Sequence, residues 1–269
     1  MGDPQPIFRV LGPLRVEHRG RVHTPTASKQ RQVLLLLLLR ANSTVSLPQF
    51  VEELWEGYPP ASAIPALHTY VMQLRRALDS LHLADGPASS RLVTRTGGYE
   101  LVVRPGELDL DVFDEKIQAA LAQTDSSTRA RGLHEALELW TAPALADVVT
   151  GPVMRSAITV LQQKRLDALG HRIDADLEVG WHHELIGELS SLVLHNSTSE
   201  RFTAQLMLAL YRSGRQVDAL NAFHRLRRAE GRLSRELHDL YTAILAGDPA
   251  LDPPIQARTR LSLDAALIA

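Results

Sequence analysis

The sequence contains no cysteine, which excludes disulfide bonds and thiolate metal sites and suits a reducing compartment. The apolar run Val33–Leu39 has only seven residues, far short of the roughly 20 that a membrane-spanning helix needs. The chain does not open on a charged-then-apolar secretory leader. These absences predict a cytoplasmic protein without a membrane partner, long enough at 269 residues for two domains.

The sequence also lacks the short motifs of several enzyme classes. Neither of the glycine-rich phosphate-binding patterns, GxxxxGK[ST] and GxGxxG, is present, and neither is a GxSxG nucleophile elbow or an HExxH zinc motif. His182 and His183 are adjacent, so on a helix they point about 100° apart and cannot bind one metal together; we expect both at the surface. The sequence therefore predicts no enzyme activity, no cofactor and no metal.

The net charge of −2 is small, but it is unevenly distributed. Residues 1–105 carry 12 Lys/Arg and 8 Asp/Glu, a net charge of +4, whereas residues 106–269 carry 17 and 23, a net charge of −6. A basic first part and an acidic second part indicate a division of labour, with nucleic acid as the partner of the first.

The first 60 residues predict short strands followed by two helices. Residues 7–23 alternate and contain Gly/Pro turns, which is typical of strands. Ser28 is a candidate N-cap for a helix that runs to Arg40. A second helix is expected over Leu47–Trp55, with Ser46 as its cap and a proline in its first turn.

The leucine run 34–39 makes its helix hydrophobic on every side, which predicts that two sides are buried. One hypothesis is that this helix packs on the N-terminal strands with one face and on residues beyond 106 with the other. The alternative is an ordinary leucine-rich core helix.

A third helix, about Ile64–Leu81, has a clear apolar stripe with 4-3-4-3 spacing, formed by Leu67, Val71, Leu74, Leu78 and Leu81. Thr69, Met72 and Arg76 lie opposite this stripe, with Gln73 on one flank and His68 and Arg75 on the other. Leu92–Thr96 and Tyr99–Val103 are expected to pair as a hairpin around Gly97-Gly98.

This helix and hairpin have the chemistry of DNA recognition. Thr69, Gln73 and Arg76 can read base edges in the major groove, and Arg75, nearer the stripe edge, can clamp a phosphate. Arg95, at the hairpin tip, can enter a narrow minor groove, where negative potential is focused. The alternative is an amphipathic helix with a solvated arginine face beside an unrelated hairpin; the combined spacing favours DNA.

From about Asp109 the sequence predicts successive helices, near 111–123, 127–140, 153–181, 183–195, 200–213, 215–231 and 234–246. Residues 177–192 match residues 211–226 at an offset of 34, with Gly180 corresponding to Gly214. This period, with glycine in the turn, is typical of tetratricopeptide-type helical hairpins. An irregular helical bundle is the alternative.

The combined features resemble a known family. The order of strands, three helices and wing resembles the OmpR-type winged helix. The segments 136–140, 143–147 and above all 206–215 (LMLALYRSGR) resemble the bacterial transcriptional activation domain. The chain is thus similar, over roughly residues 7–250, to the Streptomyces antibiotic regulatory proteins.

The resemblance implies a mostly α fold with a small β component: an N-terminal winged helix-turn-helix followed by an all-α, tetratricopeptide-like domain. The expected bounds are 1–6 for a disordered N-terminus, 7–105 for the winged helix, 106–247 for the activation domain and 248–269 for a mobile tail.

The resemblance also implies an activator that binds direct repeats beside a promoter and recruits RNA polymerase holoenzyme to antibiotic biosynthesis genes. By motif position, Thr69, Gln73 and Arg76 would face bases, and Arg95 the minor groove. The implied contacts to the phosphate backbone are Tyr70, Arg75, Lys29, Gln30 and Arg31.

A homodimer on DNA and a nucleoid-associated location are expected. The alternatives are a helical-repeat adaptor that binds protein and a regulator that senses a small ligand.

Overall fold

The computed structural model describes residues 7–81 and 86–252. They form two compact units: one combines residues up to Gln118 with Glu135–Leu166, and the other combines Ala119–His134 with the residues from Asp167 on. The strands are β1 (Ile7–Arg9), β2 (Arg15–His18), β3 (Arg21–Val22), β4 (Val45–Ser46), β5 (Leu92–Arg95) and β6 (Gly98–Leu101). The helices are α1 (Ser28–Leu39), α2 (Leu47–Trp55), α3 (Ala63–Asp79), α4 (Asp109–Leu121), α5 (Ser126–Leu137), α6 (Pro152–Val179), α7 (His182–His195), α8 (Glu200–Arg212), α9 (Gln216–Glu230) and α10 (Arg235–Ala246).

The first unit begins with the predicted strands. β1, β2 and β3 form an antiparallel sheet in that order, with Phe8 opposite Val16. Both side chains are buried, because alternate residues of a strand point to the same face of its sheet. The prediction of short strands over 7–23 is confirmed.

α2 has the predicted bounds because its start is specified locally. The Ser46 hydroxyl accepts the backbone N–H of Gln49, and the Gln49 side chain accepts the backbone N–H of Ser46, a complete capping box. A proline in the first turn adds to this signal.

α1 is buried along its leucine run up to Leu38, as predicted: residues 33–38 are at most 2% exposed, and only Leu39, the last of the run, is half-buried. The predicted cap is wrong by one residue, because Ser28 is the first helical residue and the N-cap is Ala27, which has no side-chain acceptor. Two α1 side chains bond residues beyond 106: Arg31 pairs with Asp147, and Gln32 donates to the carbonyl oxygen of Val149 (2.9 Å). That the leucines themselves contact that region stays a prediction.

Buried carboxylates join the N-terminal strands and α2 to residues after 106 within the first unit. Asp109 accepts the backbone N–H groups of Val10 and Leu11 (2.9–3.0 Å), and burial raises its pKa to about 6. Glu53 of α2, 1% exposed, accepts the N–H groups of Gly151 and Met154 at the start of α6. The packing units therefore cross the sequence boundary expected at residue 105.

The second unit consists of helices that pack on their neighbours in sequence, α7 on α8, α8 on α9 and α9 on α10. The turn after α6 is closed by a hydrogen bond from the N–H of Trp181 to the carbonyl of Asp176, and its glycine, Gly180, has φ +100°. The residues 34 positions later repeat this geometry: the backbone N–H of Arg215 donates to the carbonyl oxygen of Leu210.

Gly214 has φ +74°, and Gly247, a further 33 residues on, has φ +66° and a third bond of this kind, from the N–H of Asp248 to the carbonyl of Ala243. Left-handed glycines with this bond are a helix C-cap, so the predicted 34-residue repeat is present in the backbone. The fold is mostly α with a small β component, as predicted.

His182 is 1% exposed rather than a surface residue, and burial, together with the nearby His183 and Arg212, lowers its pKa; only His183 is exposed. The predicted disordered N-terminus, 1–6, and residues 253–269 of the predicted tail lie outside the described residues. At the start of that tail, the carbonyl oxygen of Leu251 accepts a hydrogen bond from the Arg212 side chain (2.8 Å).

No helix within residues 7–81 and 86–252 is long and apolar enough to cross a bilayer.

Candidate nucleic-acid interface

α3 presents one side to the core and the other to solvent. The predicted stripe is buried, with Leu67, Val71, Leu74 and Leu78 at most 4% exposed. The opposite face, formed by Thr69, Met72 and Arg76, is exposed. The predicted orientation of this helix is therefore confirmed.

Two polar side chains on the exposed side are close to the start of α3. The Thr69 hydroxyl donates to the carbonyl oxygen of Pro65 one turn earlier (3.0 Å), so its oxygen remains able to accept a hydrogen bond from another group. Tyr70, the next residue, is half-buried.

Gln73 connects α3 to the start of α1. Its side-chain oxygen accepts a hydrogen bond from the amide nitrogen of Gln30 (2.8 Å). Its own amide nitrogen, with two N–H donors, has no acceptor among the described residues. The two predicted contact residues are therefore brought together, and the bond orients the Gln73 amide.

Arg75 connects α3 to the hairpin. Its Nε and Nη2 both donate to the carbonyl oxygen of Leu92 (3.1 and 2.7 Å), and Nη2 also donates to the hydroxyl of Thr94 (2.9 Å). The guanidinium lies 6.0 Å from the centre of the Tyr99 ring, a cation–π distance. Nη1 has no acceptor among the described residues, so Arg75 holds the wing and keeps two donors for another group.

The hairpin is placed by β4 as well as by α3. β6 lies between β4 and β5, and Gly98 pairs with both Ser46 and Arg95. A Cβ atom at Gly98 would overlap the Val45 carbonyl group, so only glycine fits there. The two-residue turn is Thr96-Gly97 rather than the expected Gly97-Gly98, because Gly98 already belongs to β6.

Arg95 is half-exposed beside the turn and is paired with Glu100. Its Nε lies 2.7 Å from a Glu100 carboxylate oxygen, and this hydrogen bond raises the pKa of Arg95. Sequence reasoning missed Glu100. The available signal was its position, two residues beyond Gly98, which makes it the diagonal cross-strand neighbour of Arg95.

The three candidates in the first turn of α1 are more engaged than the sequence suggests. Lys29 donates to the carbonyl oxygen of Leu54 at the end of α2 and lies over the Trp55 ring. Arg31 pairs with Asp147 and is only 16% exposed. Gln30 is the member of this turn that points towards α3.

The described residues contain no group of three or more His, Cys, Asp or Glu side chains arranged to hold a metal ion. The geometry instead combines a solvent-facing helix side, a short wing fixed to that helix by an arginine, and a second arginine at the wing. This arrangement has the shape and donors to follow a DNA groove.

The chain is similar to known transcriptional regulators. A family profile described as "Bacterial transcriptional activator domain" matches residues 108–245. The chain is 38% identical to Regulatory protein DnrI of Streptomyces peucetius, with 95% of this chain and 99% of DnrI aligned. It is 32% identical to Transcriptional regulator RedD of Streptomyces coelicolor, with 92% of this chain and 72% of RedD aligned.

Regulatory protein AfsR of Streptomyces coelicolor is 35% identical, but the match covers 91% of this chain and only 24% of AfsR. Among solved structures, Mycobacterium tuberculosis EmbR in complex with a low affinity phosphopeptide is similar, with a TM-score of 0.84 and 27% identity. The match covers 98% of this chain and 70% of the EmbR chain. With its winged helix, its helical repeats and these relatives, the chain belongs to the Streptomyces antibiotic regulatory protein family of transcriptional activators.

Proposed function

We propose that the chain is a sequence-specific DNA-binding activator whose α3 enters the major groove and whose hairpin reaches the adjacent minor groove. The observation that carries this proposal is the Arg75 fork. It ties the wing to α3 while the Thr69, Met72 and Arg76 face stays open to solvent. A helix and a wing held in one geometry can address two grooves at once without a further ordering cost.

Base reading falls to the outward donors and acceptors of α3. Arg76 is exposed, and its guanidinium can form the bidentate contact that guanine accepts. Gln73 offers two free amide donors in an orientation set by Gln30. Thr69 presents a methyl group and oxygen lone pairs, which suit a thymine methyl or a base donor.

Backbone contacts fall to side chains at the rim of this face. Tyr70 and the free Nη1 of Arg75 are positioned on α3 for phosphates. In the first turn of α1, no side chain caps the helix, so its backbone N–H groups can bind a phosphate beside Gln30. Lys29 and Arg31 contribute through donors that their bonds within the first unit leave free.

Arg95 is proposed for the minor groove. Its partner Glu100 neutralises it in the free protein, so entry into the groove exchanges a carboxylate for the focused negative potential of the DNA. Glu100 therefore lowers affinity and raises selectivity for narrow grooves, because only a strong potential compensates for the lost pair.

Few phosphate contacts per subunit imply that useful affinity needs two subunits on direct repeats, about one helical turn apart. We propose that the bound dimer recruits RNA polymerase holoenzyme to secondary-metabolite genes on the nucleoid in the cytoplasm, and that the chain has no enzymatic role.

The test is a gel shift and footprint on promoter fragments next to the protein's own gene, at 50 and 200 mM salt. Binding that protects direct repeats and weakens steeply with salt is expected. Arg76→Ala should remove the preference for one base pair, at a cost of about 1–3 kcal/mol on the specific site and much less on random DNA. Arg40→Ala, at an exposed arginine after α1, is the matched control.

An absence of binding at 50 mM salt would contradict DNA binding and favour a protein-binding adaptor. Footprints that shift only after addition of a metabolite extract would instead favour a ligand-sensing regulator. Equal losses by Arg76→Ala on specific and random DNA would contradict the base-reading role of α3.

A further inference from the structure

Of the 11 arginines in the described part of the second unit, all but Arg235 fall into two groups. One group is bonded to acceptors within the unit, through carboxylates, backbone carbonyls or a hydroxyl; its members are Arg129, Arg131, Arg172, Arg201, Arg212 and Arg215. In the other group, Arg225, Arg227, Arg228 and Arg232 are exposed and have no side-chain acceptor among the described residues. The four unpaired arginines all lie within residues 225–232.

These side chains are all exposed on the second half of α9 and the turn that follows it. The buried side of α9 contains Ala219, Phe223 and Leu226, so with about 100° per residue Arg228 points directly away from it, with Arg225 to one side of Arg228 and Arg227 further round on the other. The surface continues through the α9–α10 turn to the first residue of α10. We call it the arginine surface, and its members are Arg225, Arg227, Arg228, Arg232 and Arg235. Arg235 is 90% exposed, and its Asp239 partner is 3.6 Å away.

The arginine surface stands out from the charge around it. The described residues of the second unit contain 11 arginines and 14 acidic residues, a net charge of −3. Residues 225–235 alone carry five arginines and one glutamate, a net charge of +4, so the rest carries −7. A polyanion is therefore attracted to this one place on an otherwise acidic unit.

The chemistry favours nucleic acid over protein as that polyanion. No large apolar side chain is exposed between residues 218 and 244, and the exposed Val217 and Leu245 lie at the ends of α9 and α10 opposite to the arginines. Stable protein interfaces are centred on buried aromatic or apolar anchors. Phosphodiester backbones need no such anchor and are bound by arginine forks. All five cations of the surface are arginine.

We propose that the arginine surface binds the DNA phosphate backbone outside the base-reading site, as a sequence-independent second contact. The inference rests on the proposed function, because the winged helix brings the DNA. It adds phosphate contacts to those of the winged helix, in which Lys29, Arg31 and Arg95 are partly engaged with acceptors of the protein.

The test compares two double variants of the full chain. Arg225→Gln/Arg228→Gln removes two charges from the arginine surface, and Arg131→Gln/Arg215→Gln removes two charges from other exposed positions of the same unit. Glutamine keeps the helix propensity of arginine, and circular dichroism checks that both variants fold. Affinity for the promoter duplex and for a random duplex is measured by fluorescence anisotropy between 50 and 200 mM salt.

For the surface variant, the slope of log K against log salt should fall by about 1.8, that is about 0.9 for each lost phosphate contact. Affinity should fall by up to about 60-fold at 0.1 M salt, equally on both duplexes, so that the specificity ratio is unchanged. The control variant should bind as the wild type does. Failure of the wild type to bind any duplex would refute the proposed function rather than this inference.

Three results would overturn the inference. They are a wild-type slope for the surface variant, equal losses for both double variants, and a loss confined to the promoter duplex. Unchanged DNA binding with reduced transcription from the promoter would identify the arginine surface as a contact for an acidic protein and would also overturn it.

Discussion

The sharpest prediction concerns the double role of Arg75, which holds the wing through Nε and Nη2 and keeps Nη1 for a phosphate. Arg75→Lys retains the charge but cannot form the fork to the Leu92 carbonyl oxygen. Arg75→Gln removes both the charge and the fork. The two substitutions therefore separate geometry from charge.

The expected magnitude follows from the contacts. Charge-assisted hydrogen bonds to a carbonyl contribute about 1.5–3 kcal/mol, and the cation–π contact between the half-buried Arg75 and the buried Tyr99 ring contributes at least about 0.5–1 kcal/mol. Part of this free energy holds the wing in the DNA-binding geometry, so Arg75→Lys should lose about 1.5–3 kcal/mol of DNA affinity, and Arg75→Gln should lose more because it also loses a phosphate contact. The loss for Arg75→Lys corresponds to a roughly 10- to 150-fold weaker Kd on specific and random duplexes alike.

The salt dependence distinguishes the variants. Arg75→Lys should keep the wild-type slope of log K against log salt, whereas Arg75→Gln should lower it by about 0.9, the value of one phosphate contact. Fluorescence anisotropy between 50 and 200 mM salt measures both quantities, and Arg40→Lys is the matched arginine-to-lysine control. Wild-type affinity for Arg75→Lys would refute the argument, because the charge alone would then be sufficient.

Three further predictions concern the stability of the fold, measured as the free energy of unfolding in urea. Glu53→Ala should cost about 3–5 kcal/mol because two buried N–H groups at the start of α6 lose their acceptor. A cost below 1 kcal/mol would show that the Glu53 carboxylate is not needed to satisfy these N–H groups. The folded-state pKa of Asp109, about 6, lies above the ordinary 3.8, so between these pH values the folded state holds a proton that the unfolded state has lost, and the stability from this protonated carboxyl is lost as pH rises through 6. Relative to Asp109→Asn, the wild type should therefore lose on the order of 3 kcal/mol of unfolding free energy between pH 4 and pH 7. A difference between the two proteins that does not change with pH would contradict this. Gly98→Ala should destabilise the fold by about 1–3 kcal/mol through overlap with the β4 backbone. Gly187→Ala, in open space on α7, should instead stabilise it by about 0.5–1 kcal/mol. If both substitutions changed the unfolding free energy in the same direction, close packing at Gly98 would not be the reason for its glycine.

The sequence was sufficient where the signals are local. Ser46, Pro48 and Gln49 lie within four residues and determine the start of α2 by themselves. The apolar stripe of α3 fixes which side faces the core, because helical periodicity converts spacing directly into direction. For the same reason the outward position of Thr69 and Arg76 could be predicted.

The engagements of the candidate site residues could not be predicted, because their partners are distant in sequence. Arg31 pairs with Asp147, 116 positions away, and Lys29 meets a backbone carbonyl 25 positions away. Helical periodicity predicts the direction in which a side chain points, but not which group of the folded chain it will bond. The expectation that His182 lies at the surface was wrong for the same reason, since its burial depends on how α7 packs against its neighbours.

The Gly98 error has a different origin. A pair of glycines marks a tight turn without stating which of the two supplies it. Gly97 takes the left-handed conformation, whereas Gly98 is required by the approach of β4. The sequence around the hairpin does not show that β4 pairs with β6, so the requirement for glycine at position 98 becomes evident only in the folded sheet.

The glycine caps that recur at Gly180, Gly214 and Gly247 determine how the second unit loses its structure. Each helical hairpin ends in the same backbone geometry, as in a repeat protein. The stability of such an array is approximately the sum of the intrinsic stability of each hairpin and the free energy of its contact with the adjacent hairpin. α8 packs on α7, α9 and α10, whereas α10, the last α-helix of the described residues, packs mainly on α9 and α8. Opening therefore begins at α10 and proceeds backwards, and amide hydrogens should exchange with solvent in that order, α10 first and α8 last.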